Sequence, residues 1–184
     1  MYKRQILHIA IRNIMNNQVN INMKPQDIVV LLQIIASKED WVQASLAEKL
    51  CMSQSEISQS IARSKFSGLL DPTGKKVRTE ALHEFLEYGV SYTFPVKPGP
   101  MVRGVPTAHS AYPLNELIQS EENFVWPAAR GTVRGQAIEP LYPSVPKAIE
   151  NNPMLYNYLA LVDAIRIGRS RERFAAINML KELL

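Results

Sequence analysis

Apolar and polar positions fall into three regimes along the chain. In the first, Ile28, Val29, Leu31, Leu32, Ile34 and Ile35 crowd together behind Pro25, which suits the first turn of a helix, and predict a helix ending near Ser37. Leu46, Ala47, Leu50, Met52, Ile57 and Ile61 then recur at spacings that give two short helices one inward face. A further helix is expected over Thr79–Tyr88, capped by Thr79, stopped by Gly89 and carrying His83 as a half-buried packing residue. In the second regime the helical period disappears. Ten of the twelve prolines lie in 95–153, together with Gly99, Gly104, Gly131 and Gly135, and a proline, lacking an amide proton, breaks a long helix. Aromatic residues in this stretch want burial, so it reads as irregular but packed. A short helix is expected near Leu114–Gln119, with one or two strands around Phe124–Trp126 and Thr132–Ala137. In the third regime Leu155, Tyr158, Leu159, Val162 and Ile165 form a helical stripe that Gly168 ends. Ser170 opens another helix in which Phe174, Ile177, Leu180 and Leu184 share a face.

Ahead of these, Ile6, Leu7, Ala10, Ile11 and Ile14 make a stripe that suits a helix in an N-terminal extension, residues 1–23. The resulting division is 1–23, 24–94, a Pro-rich segment 95–152, and C-terminal helices 153–184.

Composition narrows the class without naming a function. Of 184 residues, 46% are hydrophobic and 21% charged, which suits a folded chain able to bury a core without metals or disulfides. The single cysteine, Cys51, excludes an intramolecular disulfide and a cysteine-based zinc cage, and suits a reducing compartment. No apolar run approaches the ~18 residues of a membrane span, and His8, Arg12 and Asn13 interrupt a would-be signal core. A cytoplasmic protein without membrane association is expected. The net charge of +4 is mild, but Arg63, Lys65, Lys75, Lys76 and Arg78 face only Asp71 within residues 63–78. Alone, such a cluster is compatible with a solvated face.

Its neighbours change that reading. Residues 43–70 run QASLAEKLCMSQSEISQSIARSKFSGLL. Ser45-Leu46-Ala47-Glu48 and Ser53-Gln54-Ser55-Glu56 both have the form of a capping box, in which the hydroxyl takes an orphan amide and the glutamate reaches back. Two helices starting eight residues apart, joined tightly around Cys51–Met52, make a helix-turn-helix.

Three features make the segment resemble the winged helix-turn-helix of MarR-type bacterial transcriptional regulators over about residues 24–94. They are the L-A-x-x-L core at Leu46–Leu50, the M-S-x-S-x-I-S opening at Met52–Ser58, and the exit Gly68-Leu69-Leu70 into Asp71-Pro72-Thr73-Gly74. Cys51 stands where glycine is common in that turn, and Ser64 where leucine is usual. The resemblance implies a mainly α fold with a small β wing: a winged helix-turn-helix followed by the Pro-rich irregular segment and the C-terminal helical pair. It also implies a DNA-binding transcriptional regulator, a repressor pairing two copies as a homodimer on half-sites about one helical turn apart.

The residues suit that role on their own chemistry. With Ile57 and Ile61 turned inward, Ser53, Gln54, Ser55, Ser58, Gln59 and Ala62 lie near the outer surface of the second helix. Glutamine can bond an adenine edge twice, serine can donate or accept, and alanine can meet a thymine methyl. Arg63 and Lys65 at the helix end, with Lys75, Lys76 and Arg78 on the wing, are expected on phosphates of double-stranded DNA, where contacts position rather than specify.

Other chemistry is not indicated. His8, His83 and His109 stand at no ligand spacing, and the Pro98–Gly104 stretch matches neither a P-loop nor a dinucleotide fingerprint. No nucleophile elbow is present. No catalytic, cofactor or metal residue is assigned, and the chain is not read as an enzyme. The size of 95–184 motivates a different expectation, an antitoxin-like or adaptor role in which this half binds a protein partner. Two terminal helices packed only on each other would leave apolar stripes exposed, so 153–184 is also expected to hold a homodimer together.

Overall fold

The computed structural model describes residues 22–38 and 41–184. The stripe proposed for Ile6–Ile14 lies outside them. The protein is mainly helical with a small β component. Helix α1 (Pro25–Ser37) is followed by α2 (Gln43–Leu50), α3 (Gln54–Phe66), α4 (Thr79–Tyr88) and the short α5 (Val90–Thr93). Strands β1 (Met101–Pro106), β2 (Phe124–Pro127) and β3 (Val133–Ala137) come next, and then α6 (Val145–Ala148), α7 (Pro153–Ile167) and α8 (Ser170–Leu183). Among the described residues no helix is long and apolar enough to cross a membrane.

Helix α1 is the hub. Every residue from Asp27 to Ile34 is buried, because α3 packs on one side of it and α7 on another. A helix apolar nearly all round belongs inside a fold rather than on its surface. Its one buried acid, Asp27, accepts the Lys24 amide at 2.9 Å. Both Asp27 oxygens also meet the Arg63 guanidinium, at 2.8 and 2.6 Å, with Asp27 wholly buried and Arg63 2% exposed. Arg63 is therefore a structural cation that locks α3 to α1.

Helix α2 starts at Gln43, two residues before the first expected capping box. Val42 supplies the leading carbonyl to Leu46, so Ser45 sits inside the first turn and caps nothing. The second box is formed as expected. Ser53 Oγ accepts the Glu56 amide at 3.1 Å, and Glu56 Oε2 accepts the Ser53 amide at 3.1 Å. Between α2 and α3, Cys51 has φ 52°, the left-handed region in which a glycine is unstrained, and it is exposed.

After α3 the chain makes a single antiparallel bridge, Leu70 with Val77, in place of a developed hairpin. Asp71 organises the turn between them. Its Oδ1 accepts the Lys75 and Lys76 amides at 2.7 and 2.8 Å, and its Oδ2 accepts the Thr73 hydroxyl. Buried Trp41 pins this turn to the start of α2 by donating its indole N–H to the Lys75 carbonyl at 3.0 Å.

The Pro-rich segment holds the sheet, including a strand, β1, beyond the two regions expected. β2 pairs antiparallel with the second half of β1 and β3 with the first half, and Gly104 is the pivot that faces both Pro127 and Val133. β2 and β3 also meet in parallel through Phe124 with Gln136 and Val125 with Ala137, closing the three strands into a miniature barrel. Closure at this radius leaves no room for side chains at the crossing: a methyl on Gly131 would lie 2.4 Å from Gly104 Cα. The short helix expected near Leu114 is a 3-10 turn, Leu114–Glu116.

Helix α7 carries the barrel. Asp163, buried on its inner face, accepts Trp126 Nε1 at 2.6 Å, Thr107 Oγ1 at 2.9 Å and Arg166 Nη1 at 2.6 Å. Asn152 caps α7 by accepting the Leu155 amide at 3.1 Å, and Gly168 ends it with φ 82°. Leu155, Leu159, Val162, Ile165 and Leu180 are buried within this one chain. The α7 stripe expected to seek a second copy therefore covers the protein's own core, against α1, α5 and a 3-10 turn, whereas in the α8 stripe Leu180 is buried and Ile177 and Leu184 are half-buried. Phe174 leaves its expected face and stands 70% exposed.

Candidate nucleic-acid interface

The local chemistry of α3 separates its two sides. Ile57, Ser60, Ile61, Arg63 and Ser64 face the core. Ser64, standing where leucine is usual, is buried, and its carbonyl accepts the amides of Leu69 and Leu70, which turn the chain off the helix. On the opposite side Gln54, Ser55, Ser58, Gln59, Ala62, Lys65 and Phe66 are all exposed. At 3.6 residues per turn these positions fall within an arc of about 140°. Gln59 Nε2 donates to Ser55 Oγ at 3.2 Å along this face. Ser53 is exposed at the cap, where it is engaged with Glu56. The Tyr142 hydroxyl bond, then the bond from the Ser53 amide, holds the Glu56 carboxyl below its ordinary range.

The cations sort into three kinds. Arg63 is not on this surface, because Asp27 holds it in the core. Lys75 is exposed but leans on Trp41, its ammonium 5.0 Å from the ring centre and 3.4 Å from the Trp41 carbonyl. Arg78, also exposed, folds back to donate to the Gly68 carbonyl at 3.2 Å. Lys65 and Lys76 are exposed and make no side-chain hydrogen bond or ion pair among the described residues. The end of α3 and the Asp71 turn lie side by side, since a methyl on Gly74 would sit 3.2 Å from Lys65 Cδ. Lys65 and Arg78 thus stand at the end of α3, whereas Lys75 and Lys76 lie on the neighbouring turn beside Trp41 and the end of α1. The bond from Thr73, then those from the Lys76 and Lys75 amides, holds the Asp71 carboxyl down at about 2. The turn therefore stays organised throughout the neutral range.

Several residues that shape this surface escaped the sequence reading. Trp41 anchors the turn, and Phe66 adds a 68% exposed ring to the α3 face. Tyr142 and Ser144 reach it from the far end of the Pro-rich segment, bonding Glu56 Oε1 and the Leu50 carbonyl, each at 2.6 Å. The period of α3 could have revealed Phe66. No local signal marks a contact 86 residues away.

Other groups that might have carried chemistry are occupied structurally. His83 is half-buried, with Nε2 3.3 Å from the Ile177 carbonyl. His109 is buried in the 3-10 turn Ala108–Ser110, with Nε2 2.8 Å from the Glu122 carbonyl and its ring edge-on to Phe124. The arginines around Gly168 disperse: Arg166 to Asp163, Arg169 to Glu122, and Arg173 to the Glu87 carbonyl. No group of three or more histidines, cysteines or acids among the described residues is placed to hold a metal ion. The chain matches no protein-family model, no curated protein and no solved structure.

Proposed function

We propose that the protein is a sequence-specific double-stranded DNA-binding transcriptional regulator, with residues 24–94 acting as a winged helix-turn-helix and α3 as its reading helix. The observation that carries this reading is the exposed face of α3. It holds amides, hydroxyls and one methyl side chain, and no carboxylate along Gln54, Ser55, Ser58, Gln59 and Ala62. A helix with such a face fits the major groove, where a bidentate glutamine–adenine pair discriminates by about 1–3 kcal/mol. Lys65 at the end of α3 suits a phosphate, with Lys75, Lys76 and Arg78 adding charge on and after the neighbouring turn. A regulator of this kind represses by occupying its site.

Selection of DNA from a random pool by the full chain tests the proposal. It should enrich a defined sequence, and Gln54→Ala and Gln59→Ala should each weaken that site by about 1–3 kcal/mol while leaving scrambled DNA nearly unaffected. Lys76→Ala should weaken all DNA and reduce the salt slope by about 1. Failure to enrich any sequence, or equal losses on selected and scrambled DNA, would remove base reading from α3. The symmetry of the selected site reports whether two copies bind together.

A further inference from the structure

Two residues of the Pro-rich segment grip the α2–α3 turn from both sides. Ser144 Oγ donates to the carbonyl of Leu50, the last residue of α2, at 2.6 Å. Tyr142 Oη donates to Glu56 Oε1 at 2.6 Å, in the first turn of α3. Glu56 is already committed to the helix start, because its other oxygen takes the Ser53 amide at 3.1 Å and the Ser53 hydroxyl at 3.0 Å. Tyr142 thus completes the coordination of a carboxylate that caps α3, and a hydrogen bond to a charged group is among the stronger ones.

The gripping corner is itself rigid. Leu141 and Val145 are buried on either side of it, and Pro140, Pro143 and Pro146 restrict its backbone. A third bond holds the same region to α1, where Asn152 Nδ2 donates to Gln33 Oε1 at 2.8 Å. The turn it grips passes through a left-handed, non-glycine residue at Cys51 and is held locally by the Cys51 and Met52 amides, which donate to the Glu48 and Ala47 carbonyls at 3.2 and 3.0 Å. Core packing of Leu46, Leu50, Ile57 and Ile61 sets the general angle between α2 and α3, and the distant corner adds a polar bond on each side of the turn.

We infer that Tyr142 and Ser144 are positioning residues for the reading helix: they hold the first turn of α3, with Gln54 and Ser55, in the orientation that meets base edges. The inference rests on the DNA-reading proposal above. It gives the Pro-rich segment a part in specificity although its own side chains need touch no base. Base contacts form only on the selected site, so an α3 start that is loosened or tilted loses them there, while phosphate contacts common to every sequence persist and the discrimination falls.

The test uses the full chain carrying Tyr142→Phe, Ser144→Ala or Ser144→Thr. On the selected DNA, Tyr142→Phe and Ser144→Ala should each reduce the ratio of selected to scrambled affinity by on the order of tenfold. Scrambled-DNA affinity should stay within about twofold, and Ser144→Thr, which keeps the hydroxyl, should restore the ratio. Amide hydrogen exchange without DNA supplies an independent readout. The amides of 53–58 should exchange faster in Tyr142→Phe, while those of α7 are unchanged. An unaltered affinity ratio, or unaltered exchange at 53–58, overturns the positioning role. If the wild-type chain enriches no DNA sequence, base reading fails by itself, and the exchange result still decides whether this corner holds α3. Should Tyr142→Phe fold poorly, the Ser144→Ala and Ser144→Thr pair carries both readouts.

Discussion

Replacing Arg63 by methionine should cost about as much stability as any single surgical change in this protein. The guanidinium makes two bonds to Asp27, at 2.8 and 2.6 Å, and neither partner is more than 2% exposed. Arg63→Met leaves the Asp27 carboxylate inside the core with the Lys24 amide as its remaining donor. Stranding one member of a buried pair costs about 3–5 kcal/mol. For a chain of this length that corresponds to a melting temperature lowered by roughly 6–20 °C. Asp27→Leu should cost a comparable amount, since it strands the arginine and also removes the acceptor for the start of α1. The double variant Asp27→Leu/Arg63→Met removes both charges, and should return to within about 2 kcal/mol of wild type, because apolar replacement of a buried pair is often close to neutral. Urea unfolding followed through Trp41 and Trp126, analysed as a double-mutant cycle, measures this coupling. Single variants within about 1 kcal/mol of wild type would show that water reaches the pair, and the reasoning would fail. Under the DNA-reading proposal the double variant should also keep the salt dependence of binding, since Arg63 is buried against Asp27; a slope reduced by about 1 would place it at the interface.

Cys51→Gly should stabilise the protein by up to about 1 kcal/mol, because relief of the left-handed conformation exceeds the added freedom of the unfolded chain, and a lowered urea midpoint would contradict this. Gly131→Ala should destabilise by about 1–3 kcal/mol or more through collision with the Gly104 backbone; wild-type melting would mean that the barrel is looser than described. The Asp71 carboxyl, depressed to about 2 from an ordinary 3.8, contributes turn stability that is complete above the ordinary value and lost as pH falls through about 2. Its carbon resonance should titrate there together with the amides of Lys75 and Lys76, and a midpoint near the ordinary carboxyl value would show that those bonds are not made.

Where chemistry is local, the sequence is a good guide. The apolar run behind Pro25, the Ser53–Glu56 capping box and the Gly168 break each depend on neighbours within four residues, and each stands where expected. The exposed face of α3 follows from the same short-range period. Arg63 was misplaced because position on a helix surface sets which way a side chain starts, while Asp27, 36 residues earlier, sets where it ends. The first capping box failed because Ser45 competes with a helix start at Gln43, beside the buried Trp41, whose partner Lys75 lies 34 residues on. β1 was hidden by its bounding prolines and by Gly104, and it forms because two later segments supply its hydrogen bonds. The apolar stripes of α7 and α8 were correctly seen as needing cover. That α1, α4, α5 and the 3-10 turns provide much of it is a property of the whole fold.

The closed ring of β1, β2 and β3 bears on how the protein behaves at high concentration. An open sheet presents a row of unpaired amides and carbonyls along its outer strands, and these templates recruit strands from other chains into aggregates. Here each strand pairs with both of the others, so the run Phe124-Val125-Trp126 offers no such border. The four- to six-residue strands are too brief to misalign by much, and the prolines flanking them discourage extension of the ladder. A stretch whose composition suggests a sticky, irregular loop is therefore built to resist amyloid-type growth for as long as the ring stays shut.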